Sequence, residues 1–82
     1  MDQNSRAAVC AEVVRLLRDE RIAQGMSMNE LARRTGLRQP TISILESSQP
    51  NPKLDSLLRI ADALKLELGA VIAKATTNVR RR

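Results

Sequence analysis

The sequence predicts an all-α fold of five helices, and three observations lead to this prediction. The 82 residues include no Phe, Tyr or Trp, so the core must be built from Leu, Ile, Val, Ala and Met, which suits packed helices better than sheets. Apolar residues recur at the i, i+3, i+4 spacing of amphipathic helices. Gly25, Gly36 and the prolines between residues 47 and 53 mark the ends of helices.

The first helix is predicted from about Ser5 to Gln24, and Gly25 ends it. Its buried side is expected to consist of apolar residues one turn apart: Val9, Val13, Leu16, Leu17 and Ile22. Cys10, the only cysteine, lies on the same helix and is interpreted as a small apolar residue of the packing surface. An intermolecular disulfide or a redox role for Cys10 is the alternative.

The second helix is predicted from Met28 to Thr35 by the signals at its two ends. Ser27 can accept the amide hydrogen of Glu30 while Glu30 reaches back to the Ser27 amide, which is a capping box. Gly36 closes the helix because glycine enters the left-handed conformation without steric cost. The buried stripe of this helix consists of Met28, Leu31 and Ala32.

The third helix begins within a few residues of that glycine, with Leu37 filling the corner and Ile42 and Leu45 facing inward. Because proline biases the residue before it away from helical geometry, we expect this helix to begin at Pro40, with Gln39 as its half-in residue. Two short helices joined by so sharp a corner form a helix-turn-helix, whose second helix enters the major groove of DNA.

The remaining part of the chain is predicted to form a loop, two helices and a tail. Two prolines in residues 47–53 forbid helix continuation. The fourth helix has an apolar side that consists of Leu54, Leu57, Leu58, Ile60, Ala61 and Leu64. The fifth helix is expected to be short and almost wholly apolar, from about Leu68 to Lys74. Residues 76–82 are predicted to form a mobile basic tail on a single domain of residues 1–75.

The order and spacing of these residues resemble the Cro/CI-type helix-turn-helix family, also called xenobiotic-response-element-like. The resemblance extends from about Val13 to Ile72. The residues that carry it are Arg21, Gly25, Leu31, Ala32, Gly36, Leu37, Gln39, Ile42, Glu46, Pro52, Leu57, Ile60, Ala61 and Leu64. It implies a five-helix lambda-repressor-like DNA-binding domain in which helices 2 and 3 form the helix-turn-helix.

The base-contact candidates lie in the first turns of helix 3, which point into the major groove in this docking mode. They are Gln39, Pro40, Ser43 and Ile44, and the family positions matched by Gln39, Pro40 and Ile44 commonly face base edges. Gln39 can pair with the N6 and N7 edge of adenine, and Ile44 can press against a thymine methyl group. The alternatives are a solvated side chain for Gln39 and a partly buried or protein-contacting side chain for Ile44.

Phosphate contacts position a protein on the duplex rather than read its sequence. The free amides of Met28 and Asn29 can hold a phosphate oxygen at the start of helix 2. The other candidates are Arg34, Arg38, Thr41, Asn51 and Lys53, and a solvated helix face is the alternative for each Arg. This sequence departs from the family pattern where it has Met28 instead of Gln, Arg38 instead of a Ser or Thr cap, and Lys65 instead of Gly.

Two further sets of residues have roles in assembling the domain. The resemblance implies that Arg21 and Glu46 form an internal ion pair that ties the helix-turn-helix to helix 1. Leu68, Val71 and Ile72 on the apolar fifth helix are the predicted seam of a homodimer. Ordinary packing of these three residues onto helices 1 and 4 of the same chain is the alternative.

The composition excludes several classes of protein. A net charge of +5 suggests a polyanionic partner. No apolar run approaches the roughly 20 residues of a membrane span, and Met1 to Asn4 do not resemble the start of a secretory signal, so we expect a cytoplasmic protein of a bacterium or phage. With no His and one Cys, the chain lacks the residues of a zinc site or of a nucleophile paired with a base. We therefore predict no enzyme, no metal and no cofactor.

The predicted function is that of a sequence-specific DNA-binding transcriptional regulator, a repressor that binds as a homodimer. Its target would be a palindromic operator in double-stranded DNA, with half-sites about one helical turn apart. The nearer alternative is an antitoxin that neutralises a toxin and represses its own operon. The more distant alternative is an interaction module that keeps the helical fold and has no DNA-binding activity.

Overall fold

The computed structural model describes residues 1–48 and 51–82, and this part of the chain contains five helices and no strand. The helices are Gln3–Ala23 (α1), Met28–Thr35 (α2), Gln39–Ser48 (α3), Leu54–Ala63 (α4) and Leu68–Arg80 (α5). The predicted all-α architecture is therefore confirmed. Residues 49 and 50 of the predicted loop lie outside the described residues. None of the five helices combines the length and apolar character needed to cross a membrane.

Capping residues define both ends of α1. The Asp2 carboxylate accepts the Ser5 amide hydrogen at 2.7 Å, and this hydrogen bond lowers the pKa of the Asp2 carboxyl. At the other end Gly25 adopts a φ of +69°, in the left-handed region that the sequence predicts for it. The helix thus begins two residues earlier than predicted and stops where glycine allows the chain to turn.

The bounds of α2 are as predicted, but only one of the two hydrogen bonds predicted for its capping box forms. Ser27 Oγ accepts the amide hydrogen of Glu30 at 3.0 Å, and Gly36 closes the helix with a φ of +76°. The Glu30 carboxylate does not return to the Ser27 amide. It binds the guanidinium groups of Arg33 and Arg34, one turn further along, because a cation attracts a carboxylate more strongly than a neutral amide does.

The start of α3 also differs from the prediction by one residue. The Ile42 amide donates to the Arg38 carbonyl oxygen at 3.2 Å, which makes Arg38 the residue before the helix and Gln39 its first member. Pro40 then occupies the first turn, where its missing amide has no intrahelical acceptor to lose. The expectation that Gln39 is only half in the helix is therefore wrong.

The junction between α4 and α5 depends on a lysine in the left-handed conformation. Lys65 has a φ of +61° at the position where the family commonly has glycine. Two hydrogen bonds hold this junction: the Leu66 amide donates to the Ala61 carbonyl at 2.8 Å, and Gln24 Nε2 of α1 donates to the Leu64 carbonyl at 2.9 Å. This local backbone bond and the tertiary contact from Gln24 together offset the steric cost that glycine would avoid.

The fifth helix is longer than the sequence predicts. It continues to Arg80, so the expected end at Lys74 and the expected tail from Thr76 are wrong, and the predicted domain boundary at residue 75 falls inside α5. Ala75 is fully buried against the core, and both Asn78 and Arg82 donate hydrogen bonds to Glu12 of α1. These contacts extend the packing of α5 on α1 to the last turn.

The core is formed by one face of each helix and contains no aromatic residue. Its buried members are Val13, Val14, Leu17, Met26, Leu31, Ile42, Leu45, Leu57, Ile60, Ala61, Leu64, Leu68, Val71 and Ala75. Val9, Leu16, Met28, Ala32 and Leu37 pack against this core from half-buried positions. Three residues predicted to be buried, Ile22, Leu54 and Leu58, are exposed instead, because the stripes of α1 and α4 that face other helices are narrower than their apolar patterns.

Candidate nucleic-acid interface

The corner between α2 and α3 is held by Thr35 of α2, by Arg59 of α4 and by Gly36. The buried Thr35 hydroxyl donates to the Leu31 carbonyl at 2.8 Å and accepts the Leu37 amide hydrogen at 3.2 Å. From α4, Arg59 Nη1 donates to the Thr35 carbonyl oxygen at 3.1 Å, which satisfies a backbone acceptor at the end of α2. The orientation of α3 is therefore fixed by side chains from α2 and α4 as well as by Gly36.

Replacing Gly36 with Ala is expected to lower the free energy of unfolding by about 1–2 kcal/mol, because a residue with a Cβ would have to adopt the left-handed conformation. The Cβ would also lie 3.3 Å from Arg59 Nη1. Thermal denaturation measures the effect. Gly25→Ala is the matched control, since Gly25 has a similar φ of +69° and no atom within 4 Å of its Cβ position. An equal loss in the two variants would show that the contact with Arg59 contributes nothing.

Arg21 and Glu46 are brought together beneath α3 in a bidentate ion pair. Arg21 Nε lies 2.8 Å from Glu46 Oε2, and Arg21 Nη2 lies 2.9 Å from Oε1. The two side chains are only 9% and 6% exposed. Arg21 Nη1 also donates to the Met26 carbonyl oxygen at 2.7 Å. One guanidinium thus connects α1, the turn before α2, and α3.

The four base-contact candidates lie on the first turns of α3 with different degrees of exposure. Pro40 is exposed, and Ile44 is 61% exposed, so its side chain is free to contact another molecule and is not part of the core. Ser43 is half-buried. Gln39 is also half-buried, and its Nε2 donates to the Met28 sulfur at 3.6 Å, which joins the start of α3 to the start of α2.

The phosphate-contact candidates lie around α3 and at the start of α2, and one of them, Arg34, already forms an ion pair within the protein. Ser27 caps the Glu30 amide, so the amides of Met28 and Asn29 remain without an intrahelical acceptor at the start of α2. Exposed positions around α3 are occupied by Arg38, Thr41, Asn51 and Lys53. Arg34 is half-exposed, but its Nε lies 2.7 Å from the Glu30 carboxylate, which partly neutralises its charge.

An open groove of about 500 Å³ separates α1 from α3 beside these residues. Met28 and Ser43 line it from the helix-turn-helix, and Arg15 and Arg18 line it from α1. Sequence reasoning did not include either α1 arginine in the site. The spacing of Arg18, three residues before Arg21, places the two side chains on neighbouring turns of one face, and this signal could have identified it.

Glu12 is a second buried acid beside Glu46, and the sequence analysis did not identify it. Its side chain is 2% exposed and accepts hydrogen bonds from Arg15 at 2.6 and 3.0 Å, from Asn78 at 2.8 Å and from Arg82 at 2.7 Å. The hydrogen bonds from Arg15, followed by those from Asn78 and the nearby positive charges, outweigh the effect of burial. They lower the pKa of the Glu12 carboxyl to about 2.

The predicted dimer seam lies partly inside the chain. Leu68 and Val71 are buried in the core of the domain, so the alternative of packing within one chain describes these two residues. Ile72 is 38% exposed. Of the three, Ile72 is therefore the residue with most surface available for contact with a second protomer.

Comparison with known proteins finds similarity to an HTH-type transcriptional regulator and to an antitoxin. The chain is 45% identical over 56 residues to the uncharacterized HTH-type transcriptional regulator y4dL of Sinorhizobium fredii, covering 68% of this chain and 29% of the relative. It is 43% identical over 51 residues to the antitoxin HigA1 of Mycobacterium tuberculosis, covering 62% of this chain and 34% of the relative. The chain thus spans about a third of the length of these curated relatives. No solved structure matches it significantly.

The family assignment rests on a match to a family model rather than to a single relative. A family model described as helix-turn-helix matches residues 17–71, from the second half of α1 to the first turn of α5, and includes the whole α2–α3 corner. This family consists of DNA-binding proteins, which confirms the prediction that the chain is not an enzyme. The chain belongs to the helix-turn-helix family, of the Cro/CI type that its sequence resembles.

Proposed function

We propose that this protein is a sequence-specific transcriptional regulator that represses genes by reading the major groove of double-stranded DNA with α3. The observation that carries this proposal is the exposed start of a rigidly held helix. Pro40 and Ile44 project from α3, while the Arg21–Glu46 pair and the Gly36 corner fix the helix from behind. Side chains held in one orientation lose little entropy when they bind base edges.

Phosphate contacts on either side of α3 would set its register on the duplex. The free amides at Met28 and Asn29 offer hydrogen-bond donors at a helix N-terminus, where the helix dipole favours an anion. Arg38, Thr41, Asn51 and Lys53 supply exposed donors around the helix. Arg34 would contribute only if its guanidinium exchanged the Glu30 carboxylate for a phosphate.

A homodimer on a palindromic operator is part of the proposal. Two copies related by a two-fold axis would place their α3 helices in half-sites about one helical turn apart. The exposed side of α5 that includes Ile72 is the proposed contact between them. Binding to chromosomal or phage DNA implies action in the cytoplasm of a bacterium or an infected host.

Selection of bound sequences from a random duplex library tests this function, followed by affinity measurements at several salt concentrations. We expect a palindromic consensus whose affinity exceeds the nonspecific affinity by about 10³ or more. Enrichment of no sequence, together with weak binding that disappears at moderate salt, would contradict the proposal. That result would favour an interaction module without a DNA target.

Replacing Gln39 with Ala is expected to remove discrimination at one base pair of each half-site. The loss should be about 1–3 kcal/mol against the consensus base, because two hydrogen bonds to adenine would disappear. Affinities of the variant for the consensus and for single-base substitutions measure it. Thr41→Ala is the control in the same turn of α3, since loss of a phosphate contact weakens binding to all sequences equally. Unchanged base preference in Gln39→Ala would remove this residue from the reading surface.

A second candidate function is that of an antitoxin, which the similarity to the antitoxin HigA1 favours. Co-expression of the tagged protein with the untagged product of the neighbouring gene tests it. A stable complex that relieves growth inhibition by the neighbour would support the antitoxin role and is compatible with DNA binding. If the neighbour is harmless and fails to co-purify, the antitoxin reading is wrong.

A further inference from the structure

Arg18 carries a positive charge that its surroundings do not neutralise. Glu46 is the only carboxylate within 4.0 Å of Arg18 in the described part of the chain, at 3.7 Å from Arg18 Nε to Glu46 Oε1. Both oxygens of Glu46 already accept short hydrogen bonds from Arg21. The group of two guanidinium cations and one carboxylate therefore keeps a net charge of +1. Arg18 is 48% exposed, so this charge faces solvent.

The position of Arg18 links that charge to the proposed DNA surface. Arg18 lines the groove between α1 and α3 together with Met28 and Ser43. Ser43 is a base-contact candidate and Met28 a phosphate-contact candidate, so the groove borders both kinds of contact. The other arginine in the groove, Arg15, is held at 2.6 Å by Glu12 and at 2.7 Å by Asp19. Arg18 is therefore the cation of this groove that has no close acceptor of its own among the described residues.

We propose that Arg18 binds a phosphate of the DNA strand that passes the start of α2, so that the DNA-binding surface extends onto α1. A duplex with its bases toward Ser43 has its sugar-phosphate backbone at the edge of the major groove, where Met28 is expected to lie. A guanidinium suits a phosphate because its fork of donors matches two phosphate oxygens. This inference rests on the proposed function, and it assigns a specific residue outside the helix-turn-helix.

The salt dependence of DNA affinity tests this assignment with Arg18→Gln. Each phosphate contact contributes about −0.9 to the slope of log K against log salt concentration, so the slope of the variant should be shallower by about 0.9. Binding at 0.1 M salt should be about eightfold weaker, and the difference should vanish on extrapolation to 1 M salt. Base preference should not change, because phosphates carry no sequence information. Arg18→Lys should keep the slope of the unmodified protein.

Lys74→Gln is the matched control, since it also removes one positive charge. Lys74 is exposed on α5, where it borders Leu16 and Leu66 rather than the α1–α3 groove. The slope of log K against log salt concentration for Lys74→Gln should equal that of the unmodified protein. Thermal melting of each variant verifies that the proteins are folded at the assay temperature.

Two results would overturn the assignment while leaving the proposed function intact. The first is specific binding by the unmodified protein with an unchanged slope in Arg18→Gln. The second is an equal loss of slope in Arg18→Gln and Lys74→Gln, which would reflect net charge alone. Failure of the unmodified protein to bind any duplex would overturn the proposed function itself.

Discussion

Replacing Glu46 with Ala is expected to lower the free energy of unfolding by about 3–5 kcal/mol, because it leaves a buried charge without its partner. The Arg21 guanidinium is 9% exposed and cannot turn to solvent without leaving the Met26 carbonyl oxygen that it also binds. Arg18 lies 3.7 Å from the carboxylate that would disappear, so a second cation would then face Arg21 without compensation. The cost therefore exceeds that of an ordinary surface ion pair.

Thermal and urea denaturation followed by circular dichroism measure this effect, since the chain has no Trp or Tyr to report on unfolding. A loss of this size corresponds to a fall in melting temperature of at least about 12 °C for a domain of this length. Glu30→Ala is the control, because Glu30 pairs with two half-exposed or exposed arginines at the surface and its removal should cost much less. An unchanged melting temperature in Glu46→Ala would exclude a structural role for the pair.

The double variant Arg21→Met with Glu46→Ala separates the stranded charge from the lost hydrogen bonds. If the stranded guanidinium dominates, the double variant should be more stable than Glu46→Ala alone. If instead the bond from Arg21 to the Met26 carbonyl matters most, the double variant should be the less stable of the two. Either order identifies which contact stabilises the position of α3.

Glu12 is expected to make the stability of the protein depend on pH in the acid range. Its folded-state pKa of about 2 lies below its ordinary value of 4.5, so the unfolded chain binds more protons between these pH values. The stabilisation is fully present above about pH 4.5 and is lost as the pH falls toward 2. It amounts to about 3 kcal/mol, because each unit of pKa depression corresponds to about 1.4 kcal/mol.

Urea denaturation of the unmodified protein and of Glu12→Gln at a series of pH values from 7 to 2 measures this contribution. The variant should be less stable by about 3 kcal/mol at pH 7. The free energies of unfolding of the two proteins should approach each other below about pH 4 and nearly coincide near pH 2. Asp62→Asn changes an exposed acid of α4 and should leave stability at pH 7 nearly unaltered. A constant difference between Glu12→Gln and the unmodified protein at all pH values would contradict the assignment.

Local sequence signals predicted those parts of the fold that local interactions stabilise. The bounds of α2 followed from Ser27 and Gly36, because a cap and a left-handed glycine act within a few residues of themselves. The end of α5 did not follow, because residues beyond Lys74 are held in helical form by contacts with α1. Glu12 lies 66 residues from Asn78 and 70 from Arg82 along the chain, and no local pattern contains that pairing.

The candidate site was predicted in part for the same reason. Gln39, Pro40 and Ile44 could be named because family resemblance and helix register locate them. Ile22, Leu54 and Leu58 were predicted to be buried, but which apolar residues of a helix reach the core depends on the neighbouring helices. The spacing of Arg18 from Arg21 was visible in the sequence, but the 3.7 Å distance from Arg18 to a Glu46 carboxylate already bound by Arg21 depends on how α3 packs on α1.

The contacts between Glu12 and the end of α5 impose an order of events during synthesis. Ribosomes add about 5–20 residues per second, so Glu12 is incorporated roughly 3–13 s before Asn78, which lies 66 residues later in the chain. During that interval the buried position of Glu12 cannot be completed, and the α1 surface that packs on α5 remains uncovered. The helix-turn-helix between them can form earlier from local contacts. Packing of α1 is therefore completed only after α5 has been synthesised.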